Sequence, residues 1–263
     1  MSCRIGIIGL GFVGSAIKDS MAYMHQDLVL VDTDPTRASG TYEDLKSCEG
    51  IFVCVPSPQG EDGKCDTTIL ESVLDKLKDY EGVIISKTTA PPDVYERLGK
   101  EYMNLVHVPE FLTAANAPRD YVNGRFAIVG GNTRAYMNEA LRIIEYSQKK
   151  LNRAQFCTLK EASLAKYTIN TYLATKVIFM NEMYSLAEKT GAKYNAIADM
   201  IQMDLRIGNS HLNVPGPDGS FGFGGMCFPK DTAALLKFAE ENDVELSVLK
   251  AAVDKNKVLR NVE

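Results

Sequence analysis

The segment 222–231 places a thiol, an ammonium and a carboxylate directly after a cluster of glycines. In it Cys227 lies three residues before Lys230 and ahead of a predicted helix over 232–242. A thiol beside a helix N-terminus and a cation is in a position that favours the thiolate, which is a nucleophile for covalent catalysis. The competing interpretation is a buried cysteine in a turn, with Asp231 capping the helix. We prefer the nucleophile because other parts of the chain supply the groups that it needs.

A long helical pattern over 161–191 carries polar residues at helical spacing. Lys166 and Asn170 are four residues apart and therefore share a face. Asn181 follows within about 60° of that face, at 3.6 residues per turn. If these side chains are buried they need polar partners, because unsatisfied burial is costly. The alternative is a stripe that is solvated or lies at a dimer seam.

Near the N-terminus, a glycine motif stands between a strand and a helix. A β-branched run over 4–8 predicts a buried strand, and helical spacing follows over 15–23. The pattern Gly-x-Gly-x-x-Gly between them permits a tight turn and the close approach of a pyrophosphate to the helix N-terminus. The residues expected to contact a dinucleotide are Gly9, Gly11, Phe12, Val13 and Gly14.

A second strand, over 28–31, ends at Asp32, which lies 18 residues after Gly14. A carboxylate in this position bonds the ribose hydroxyls of an adenosine. Asp32 and Asp34 both repel a 2′-phosphate, so the predicted cofactor is NAD rather than NADP. Arg37 either packs near the adenine ribose or is a solvated arginine at a helix start.

Strands and helices alternate through the rest of the first half. Further strands are predicted over 50–55, 83–86, 105–108 and 126–129, with a last edge strand over 156–159. This alternation implies right-handed crossovers and a mostly parallel sheet, whose ligands lie beyond the carboxyl ends of the strands. We therefore expect the turns after Val55, Ser86 and Val108 to face one cleft.

Two residues of those turns become candidates by their position alone. Thr89 follows the strand over 83–86, and Glu110 follows the strand over 105–108. A Thr-Thr-x-Pro turn is otherwise a turn whose hydroxyls bond nearby backbone, and a glutamate after a proline is by default exposed or a helix cap. Both interpretations stay open for both residues.

The pattern changes to helices in the second half, which predicts two domains. We expect a dinucleotide-binding Rossmann domain over 1–158 with a mostly parallel sheet, and an all-helical domain over 159–263 built on one long central helix. Shorter helices are predicted over 195–203, 232–242 and 247–262. The irregular stretch over 206–229 is long for a compact domain, and such loops are usually functional.

Composition excludes several classes of function. The chain has 263 residues, 45% hydrophobic and 24% charged, with a net charge of −5. This charge argues against nucleic acid as a partner, and no apolar run reaches membrane-spanning length. The six cysteines form no Cys-x-x-Cys pair and no zinc spacing. We expect a reduced, cytoplasmic protein without a metal site.

With these motifs in view, the chain resembles the UDP-glucose/GDP-mannose dehydrogenase family of nucleotide-sugar dehydrogenases over nearly its whole length. The motifs that carry the resemblance are the glycine motif, Lys87-Thr88-Thr89-Ala90-Pro91, Pro109-Glu110-Phe111-Leu112, Glu161-Ala162 through Lys166 to Asn170-Thr171-Tyr172, Asp204-Leu205-Arg206-Ile207-Gly208, and Phe221-Gly222-Phe223-Gly224-Gly225 to Asp231. The family oxidises a sugar primary alcohol to a carboxylate in two NAD-dependent steps, and the resemblance implies the same activity here.

The resemblance also implies a role for each candidate residue. Cys227 would trap the aldehyde as a thiohemiacetal that becomes a thioester. Lys166 and Asn170 would stabilise the oxyanion, and Asp231, with Glu110 and Thr89, would position water and shuttle protons. The expected substrate contacts are Glu110, Lys166, Asn170, Phe221, Gly224 and Lys230, with Arg206 reaching the substrate in the neighbouring subunit; Val55 and Thr89 would contact NAD.

This sequence departs from the family in two ways. The family carries a second acid four residues after the glutamate of Pro-Glu-Phe-Leu, where this chain has Ala114; we expect hydrolysis or the first proton transfer to be slow or rerouted. The family also continues into a third domain that binds much of the nucleotide, whereas this sequence ends at Glu263. The expectation is a short form with a smaller or differently held substrate, a partner chain that completes the site, or a reduced descendant.

Two alternative functions stay open at this stage. One is a 3-hydroxyacid dehydrogenase, since those enzymes share this size and a helix with lysine and asparagine. The other is a non-catalytic NAD-binding protein. A homodimer is expected from the long central helix and from the truncated C-terminus, because an abrupt last helix leaves apolar surface that needs cover.

Overall fold

The computed structural model describes residues 3–24, 27–112 and 116–261. The chain divides into two compact units, the first formed by Met1–Pro58 and Cys65–Lys166 and the second by Gln59–Lys64 and Tyr167–Glu263. The division falls within the long helix. The assignment of separate functions to 1–158 and 159–263 stays a prediction.

Unit 1 is built on a seven-stranded sheet in the order β2-β1-β3-β4-β5-β6-β7. Its strands are β1 (Arg4–Ile8), β2 (Asp27–Val31), β3 (Gly50–Val53), β4 (Val83–Ser86), β5 (Leu105–His107), β6 (Phe126–Gly131) and β7 (Arg153–Cys157). All neighbouring pairs are parallel except β5 and β6. The prediction of a mostly parallel, Rossmann-type sheet is confirmed.

Helices cover both faces of this sheet. They are α1 (Phe12–Tyr23), α2 (Tyr42–Leu45), α3 (Thr68–Lys76), α4 (Pro92–Glu101), α5 (Ala117–Val122) and α6 (Arg134–Ser147). Because side chains alternate along a strand, Phe52 packs in the cluster with α1, α5 and α6. Its neighbours Ile51 and Val53 pack in the cluster with α2, α3 and α4. Burial on both faces explains why the strands are continuous apolar runs.

Unit 2 is helical. It contains most of α7 (Leu159–Thr190), followed by α8 (Tyr194–Ile201), α9 (Phe228–Glu241) and α10 (Ser247–Arg260). One of its apolar clusters holds Met180, Tyr194 and Leu212, and another holds Ile178 and Phe223. The predicted helical domain with a long central helix is confirmed.

Element ends differ from the sequence prediction in two informative places. The helix predicted over 232–242 begins at Phe228, because Pro229 lies in the first turn, where its missing N–H costs nothing. The last strand covers Arg153–Cys157 rather than 156–159, and Leu159 already begins α7.

Candidate functional site

The glycine motif of unit 1 forms a tight turn with open space at its centre. Gly9 has φ +86° and a Cβ there would lie 2.9 Å from the carbonyl oxygen of Cys54; a Cβ on Gly14 would lie 1.9 Å from the carbonyl oxygen of Gly9. A Cβ on Gly11 would meet nothing within 4 Å. Gly11 immediately precedes the first residue of α1, so this gap at a helix N-terminus suits an anionic pyrophosphate.

Asp32 lies against that turn. Its two carboxylate oxygens accept the N–H groups of Leu10 at 2.6 Å and Asp34 at 2.9 Å. Burial opposes its ionisation, but these two amides together with the Arg37 charge hold the pKa of Asp32 below its ordinary value. Arg37 donates to the carbonyl oxygen of Leu10 at 3.3 Å and pairs with Asp34 at 3.2 Å. Its charge is therefore matched by a carboxylate, which disfavours a 2′-phosphate.

The remaining predicted cofactor residues also lie in unit 1. Phe12 is 58% exposed at the start of α1, and Val13 follows it. Val55 is buried, and its carbonyl oxygen accepts the hydroxyl of Thr88 at 2.8 Å. Thr89 is half-buried, and its carbonyl oxygen accepts the thiol of Cys65 at 3.5 Å. The turns after β3 and β4 are thus joined, as the parallel sheet predicts.

Glu110 lies between two ammonium groups in unit 1. Its Oε2 is 3.0 Å from Nζ of Lys87, whose side chain is 2% exposed; this is a charge contact without hydrogen-bond geometry at that oxygen. Oε1 accepts the N–H of Phe111 at 2.8 Å. Lys166 donates to the carbonyl oxygen of Glu110, and its Nζ lies 4.9 Å from the ring centroid of Phe111. Sequence reasoning did not propose Lys87 as a site residue, although its motif contained it.

A cavity of about 140 Å³ adjoins this group within unit 1. Lys87, Glu110, Arg125 and Gln148 contribute to its lining. Its volume holds a few water molecules at about 30 Å³ each. Water or a polar group of a substrate therefore has room beside the Glu110 carboxylate.

A second group of polar side chains lies in unit 2. Asp231 is 1% exposed; its Oδ2 accepts from Nδ2 of Asn170 at 2.6 Å, and its Oδ1 pairs with Nζ of Lys230 at 2.5 Å. The buried carboxylate is thus held between an amide and an ammonium. The requirement that the asparagine on the long helix find a polar partner is met.

Cys227 directly precedes α9 and stands next to this group in the chain. It is exposed, whereas Cys3 and Cys48 are buried and Cys54, Cys65 and Cys157 are half-buried. Its carbonyl oxygen accepts the N–H of Asp231 at 2.8 Å. The alternative in which Asp231 caps the helix and the thiol is buried is therefore wrong: Cys227 itself stands at the N-cap and Asp231 in the first turn.

The other predicted substrate residues of unit 2 are spread along its long loop. The Arg206 side chain is 89% exposed and pairs with Asp204 at 2.5 Å. Phe221 is 39% exposed, and its ring lies edge-on to Tyr184 with centroids 5.4 Å apart. A Cβ on Gly224 would lie 2.8 Å from the Arg260 guanidinium, so this glycine makes room for an arginine of the same unit.

The predicted site residues therefore form two sets. In unit 1 the glycine motif, Asp32 and Arg37 come together, as do Lys87, Glu110 and Lys166. In unit 2 the residues brought together are Asn170, Lys230 and Asp231, next to Cys227. Ala114 lies outside the described residues.

Sequence comparison assigns the family. Residues 36–148 match the NAD binding domain of the UDP-glucose/GDP-mannose dehydrogenase family, and residues 160–258 match its central domain. The UDP-glucose 6-dehydrogenases of Rickettsia felis and Rickettsia typhi are 30% and 31% identical to this chain over 97% of its length. The chain belongs to the UDP-glucose/GDP-mannose dehydrogenase family.

The match covers only part of those relatives. The chain spans 64% of the length of the Rickettsia felis protein and 67% of that of Rickettsia typhi.

Solved structures confirm the fold. A UDP-glucose dehydrogenase from the archaeon Pyrobaculum islandicum is similar over 98% of this chain and 68% of its own, with a TM-score of 0.84 at 23% identity. A Mycobacterium tuberculosis 3-hydroxyisobutyrate dehydrogenase is similar over 97% of this chain and 92% of its own, with a TM-score of 0.75 at 17% identity. The fold is thus shared by two kinds of dehydrogenase and does not distinguish between them.

Among residues 3–24, 27–112 and 116–261, no helix combines the length and apolarity needed to cross a membrane.

Proposed function

We propose that this protein oxidises the primary alcohol of a nucleotide sugar to the carboxylate, using NAD and a covalent intermediate on Cys227. The observation that carries the proposal is the exposed thiol at the start of α9, where the nearby Lys230 and Asp231 pair with each other and Asp231 also accepts a hydrogen bond from Asn170. A hydroxyacid dehydrogenase has no need of such a thiol. Family membership supports the same substrate class.

Cys227 acts after the alcohol has become an aldehyde. Its thiolate adds to the aldehyde carbon to form a thiohemiacetal, and loss of a hydride and a proton turns that into a thioester. Water then breaks the carbon–sulfur bond, releasing the carboxylate and returning the thiol. Lys166 and Asn170 donate to the oxygen that carries negative charge, and a lost donor of this kind typically costs about 10²–10³ in kcat.

Protons are handled by the two carboxylates. Glu110 accepts or returns a proton in unit 1, with room for water in the adjoining cavity, and its charge is balanced by Lys87. Asp231 is balanced by Lys230 in the same way. Thr89 assists in positioning water, while Lys230, Phe221, Gly224 and Arg206 hold the substrate.

NAD, when bound, supplies the acceptor for two hydrides in succession. The residues that would hold it are Gly9, Gly11, Phe12, Val13, Gly14, Asp32, Arg37, Val55 and Thr89. The open space over Gly11 fits a pyrophosphate, and the carboxylate of Asp32 fits ribose hydroxyls. The pairing of Arg37 with Asp34 favours NAD over NADP.

A homodimer is part of the proposal. The exposed apolar side chains Tyr172, Phe179 and Leu186 follow one another at seven-residue intervals along α7, each more than half exposed. Such a stripe on a long helix is suited to packing against a second helix. Arg206, which is exposed in its own chain, would serve the substrate of the neighbouring subunit.

The test is the stoichiometry of NADH release. Purified protein given NAD and UDP- or GDP-sugars should release about two NADH per sugar by the two-step mechanism. Cys227→Ser should stop the acyl step, whereas Cys65→Ser, at a half-buried thiol, should not.

Two outcomes would overturn the proposal. Oxidation of a 3-hydroxyacid with one NADH per molecule, unaffected by Cys227→Ser, would assign a hydroxyacid dehydrogenase. NAD binding without turnover of any nucleotide sugar, together with a Cys227 that iodoacetamide does not alkylate, would assign a non-catalytic binding protein.

A further inference from the structure

The backbone of Gly222 and Phe223, just ahead of Cys227, is bonded entirely by side chains. The N–H of Gly222 donates to Oδ1 of Asn181 at 3.0 Å, and its carbonyl oxygen accepts from Nη2 of Arg260 at 3.0 Å. Asn181 is 3% exposed. An irregular loop therefore has its polar groups satisfied without a neighbouring strand or helix backbone.

Asn256 bonds both polar groups of Phe223. Its Oδ1 accepts the N–H of Phe223 at 2.7 Å, and its Nδ2 donates to the carbonyl oxygen of Phe223 at 3.1 Å. This is the pair of bonds that a residue of an adjacent antiparallel strand would make. A single side chain of α10 thus supplies the two hydrogen bonds that a neighbouring strand would make.

The glycines of this loop are explained by the same contacts. A Cβ on Gly222, which has φ +71°, would lie 2.4 Å from Oδ1 of Asn256, and a Cβ on Gly224 would lie 2.8 Å from Arg260. Gly225 has φ +76° and open space around it. Gly222 and Gly224 thus lie against side chains of α10, whereas the space beside Gly225 is open.

The anchored segment ends at Phe223, four residues before the thiol. Phe223 is 4% exposed, and its ring meets the ring of Phe228 edge-on, with centroids 6.2 Å apart. Cys227 is exposed but stands between these two packed residues. The chain is therefore anchored four residues before Cys227 and one residue after it, while Cys227 itself is exposed.

We propose that Asn256 is a positioning residue for Cys227. Asn256, Arg260 and Asn181 together hold the backbone of Gly222 and Phe223, and we call these three side chains the clamp. The catalytic meaning of this clamp rests on the proposed function of Cys227. The clamp itself is a property of unit 2 and is testable without substrate.

Three variants distinguish the loss of the hydrogen bonds that position the loop from a general destabilisation of α10. Asn256→Ala removes both bonds to Phe223. Asn256→Asp keeps an oxygen that can accept the N–H and removes the donor, so it provides the milder variant if Asn256→Ala does not fold. Leu249→Ala, at a buried position of α10, destabilises the helix without removing a hydrogen bond to Gly222 or Phe223.

The measurements are hydrogen exchange over 222–227 and the rate at which iodoacetamide alkylates Cys227, resolved by peptide mass spectrometry. Asn256→Ala should speed exchange of the Phe223 amide by about tenfold and change the alkylation rate, with Asn256→Asp in between. Leu249→Ala should change neither at the same fraction of folded protein. Unchanged exchange and alkylation in Asn256→Ala, or an equal effect of Leu249→Ala, would overturn the proposal.

Kinetics with a nucleotide sugar provide the second readout. If the proposed function holds, Asn256→Ala should lower kcat while leaving KM for NAD unchanged, because NAD is held by residues of unit 1. If the wild-type protein has no dehydrogenase activity but Asn256→Ala still changes exchange and alkylation, the proposed function fails and the clamp stands.

Discussion

Asn170 and Asp231 are 61 residues apart in the chain and are joined by a hydrogen bond of 2.6 Å from Nδ2 to Oδ2. Lys230 takes the other oxygen of Asp231. Because the carboxylate is 1% exposed, these two donors replace the water that it has lost. The pair ties α7 to the first turn of α9, next to the proposed nucleophile.

Asn170→Asp should make the stability of unit 2 strongly pH-dependent. Two carboxylates at this distance cannot both be ionised, so one of them must bind a proton in the folded state. The pKa of that carboxyl is then higher in the folded state than in the unfolded state. The folded state therefore binds the proton more tightly, and the free energy of unfolding increases as the pH falls from the folded pKa towards the unfolded pKa. At pH 7 we expect a loss of about 3 kcal/mol in the free energy of unfolding, recovered by about 1.4 kcal/mol for each pH unit below the shared pKa.

Urea unfolding at pH 7 and pH 5 measures this effect, with Asn170→Ser as the control. The serine variant also loses the amide donor but adds no charge, so its deficit relative to wild type should be the same at both pH values. Equal deficits for Asn170→Asp at pH 7 and pH 5 would contradict the prediction.

Lys176→Met should loosen the loop that carries Arg206. Lys176 is 8% exposed, and its ammonium donates to the carbonyl oxygens of Ile207 at 3.0 Å, Gly208 at 3.4 Å and Ser210 at 2.6 Å. Methionine keeps the apolar stem and removes all three donors. We expect a loss of about 2 kcal/mol in stability and faster tryptic cleavage after Arg206, compared with Lys189→Met in the exposed last turn of α7.

Whether a contact of the candidate site could be predicted from the sequence depends on how far apart its partners lie along the chain. The glycine motif and Asp32 were expected to serve one cofactor, and they lie together because they stand on consecutive elements of the chain. The turns of Thr89 and Glu110 were placed at one edge of the sheet by the parallel topology alone. The pairing of Glu110 with Lys87 depends on the register of β4 and β5, which no local pattern contains.

The clamp on the glycine loop is a contact that the sequence could not predict. Asn256 and Arg260 have the spacing of ordinary polar residues on an exposed helix face, and their partners lie 33 and 38 residues away. The loop glycines were predicted to admit a ligand, since glycine spacing alone does not show what approaches the backbone. Gly222 and Gly224 also lie against side chains of α10, which that spacing did not predict.

His107 should make the stability of unit 1 fall in acid. It is 1% exposed and stacks on Tyr95 with ring centroids 4.0 Å apart. Burial, with Lys87 and Lys166 nearby, lowers its pKa to about 3. The folded state therefore stays unprotonated while the unfolded state binds a proton below its ordinary pKa of about 6.5. Stability that is complete above that pH is lost as the pH falls from there towards 3.

Thermal or urea unfolding at pH 7 and pH 5 checks this difference. Between pH 7 and pH 5 the free energy of unfolding of the wild type should fall by about 2 kcal/mol more than that of His107→Gln, because each pH unit below 6.5 contributes about 1.4 kcal/mol. The comparison cancels every other titrating group, including His211. If the free energies of unfolding of the two proteins changed equally with pH, His107 would bind its proton equally well in the folded and unfolded states, which would contradict the prediction.

Phe179→Asp should convert the proposed dimer into a monomer. The Phe179 side chain lies in the middle of the stripe formed with Tyr172 and Leu186, and it is 52% exposed in the single chain. A carboxylate buried against a second apolar helix would lose its hydration without gaining a partner, which costs several kcal/mol. Met103→Asp is the matched control, since Met103 is also 52% exposed but lies in unit 1. Sedimentation velocity should give a dimer for wild type and Met103→Asp and a monomer for Phe179→Asp, whereas a monomeric wild type would refute an interface on α7.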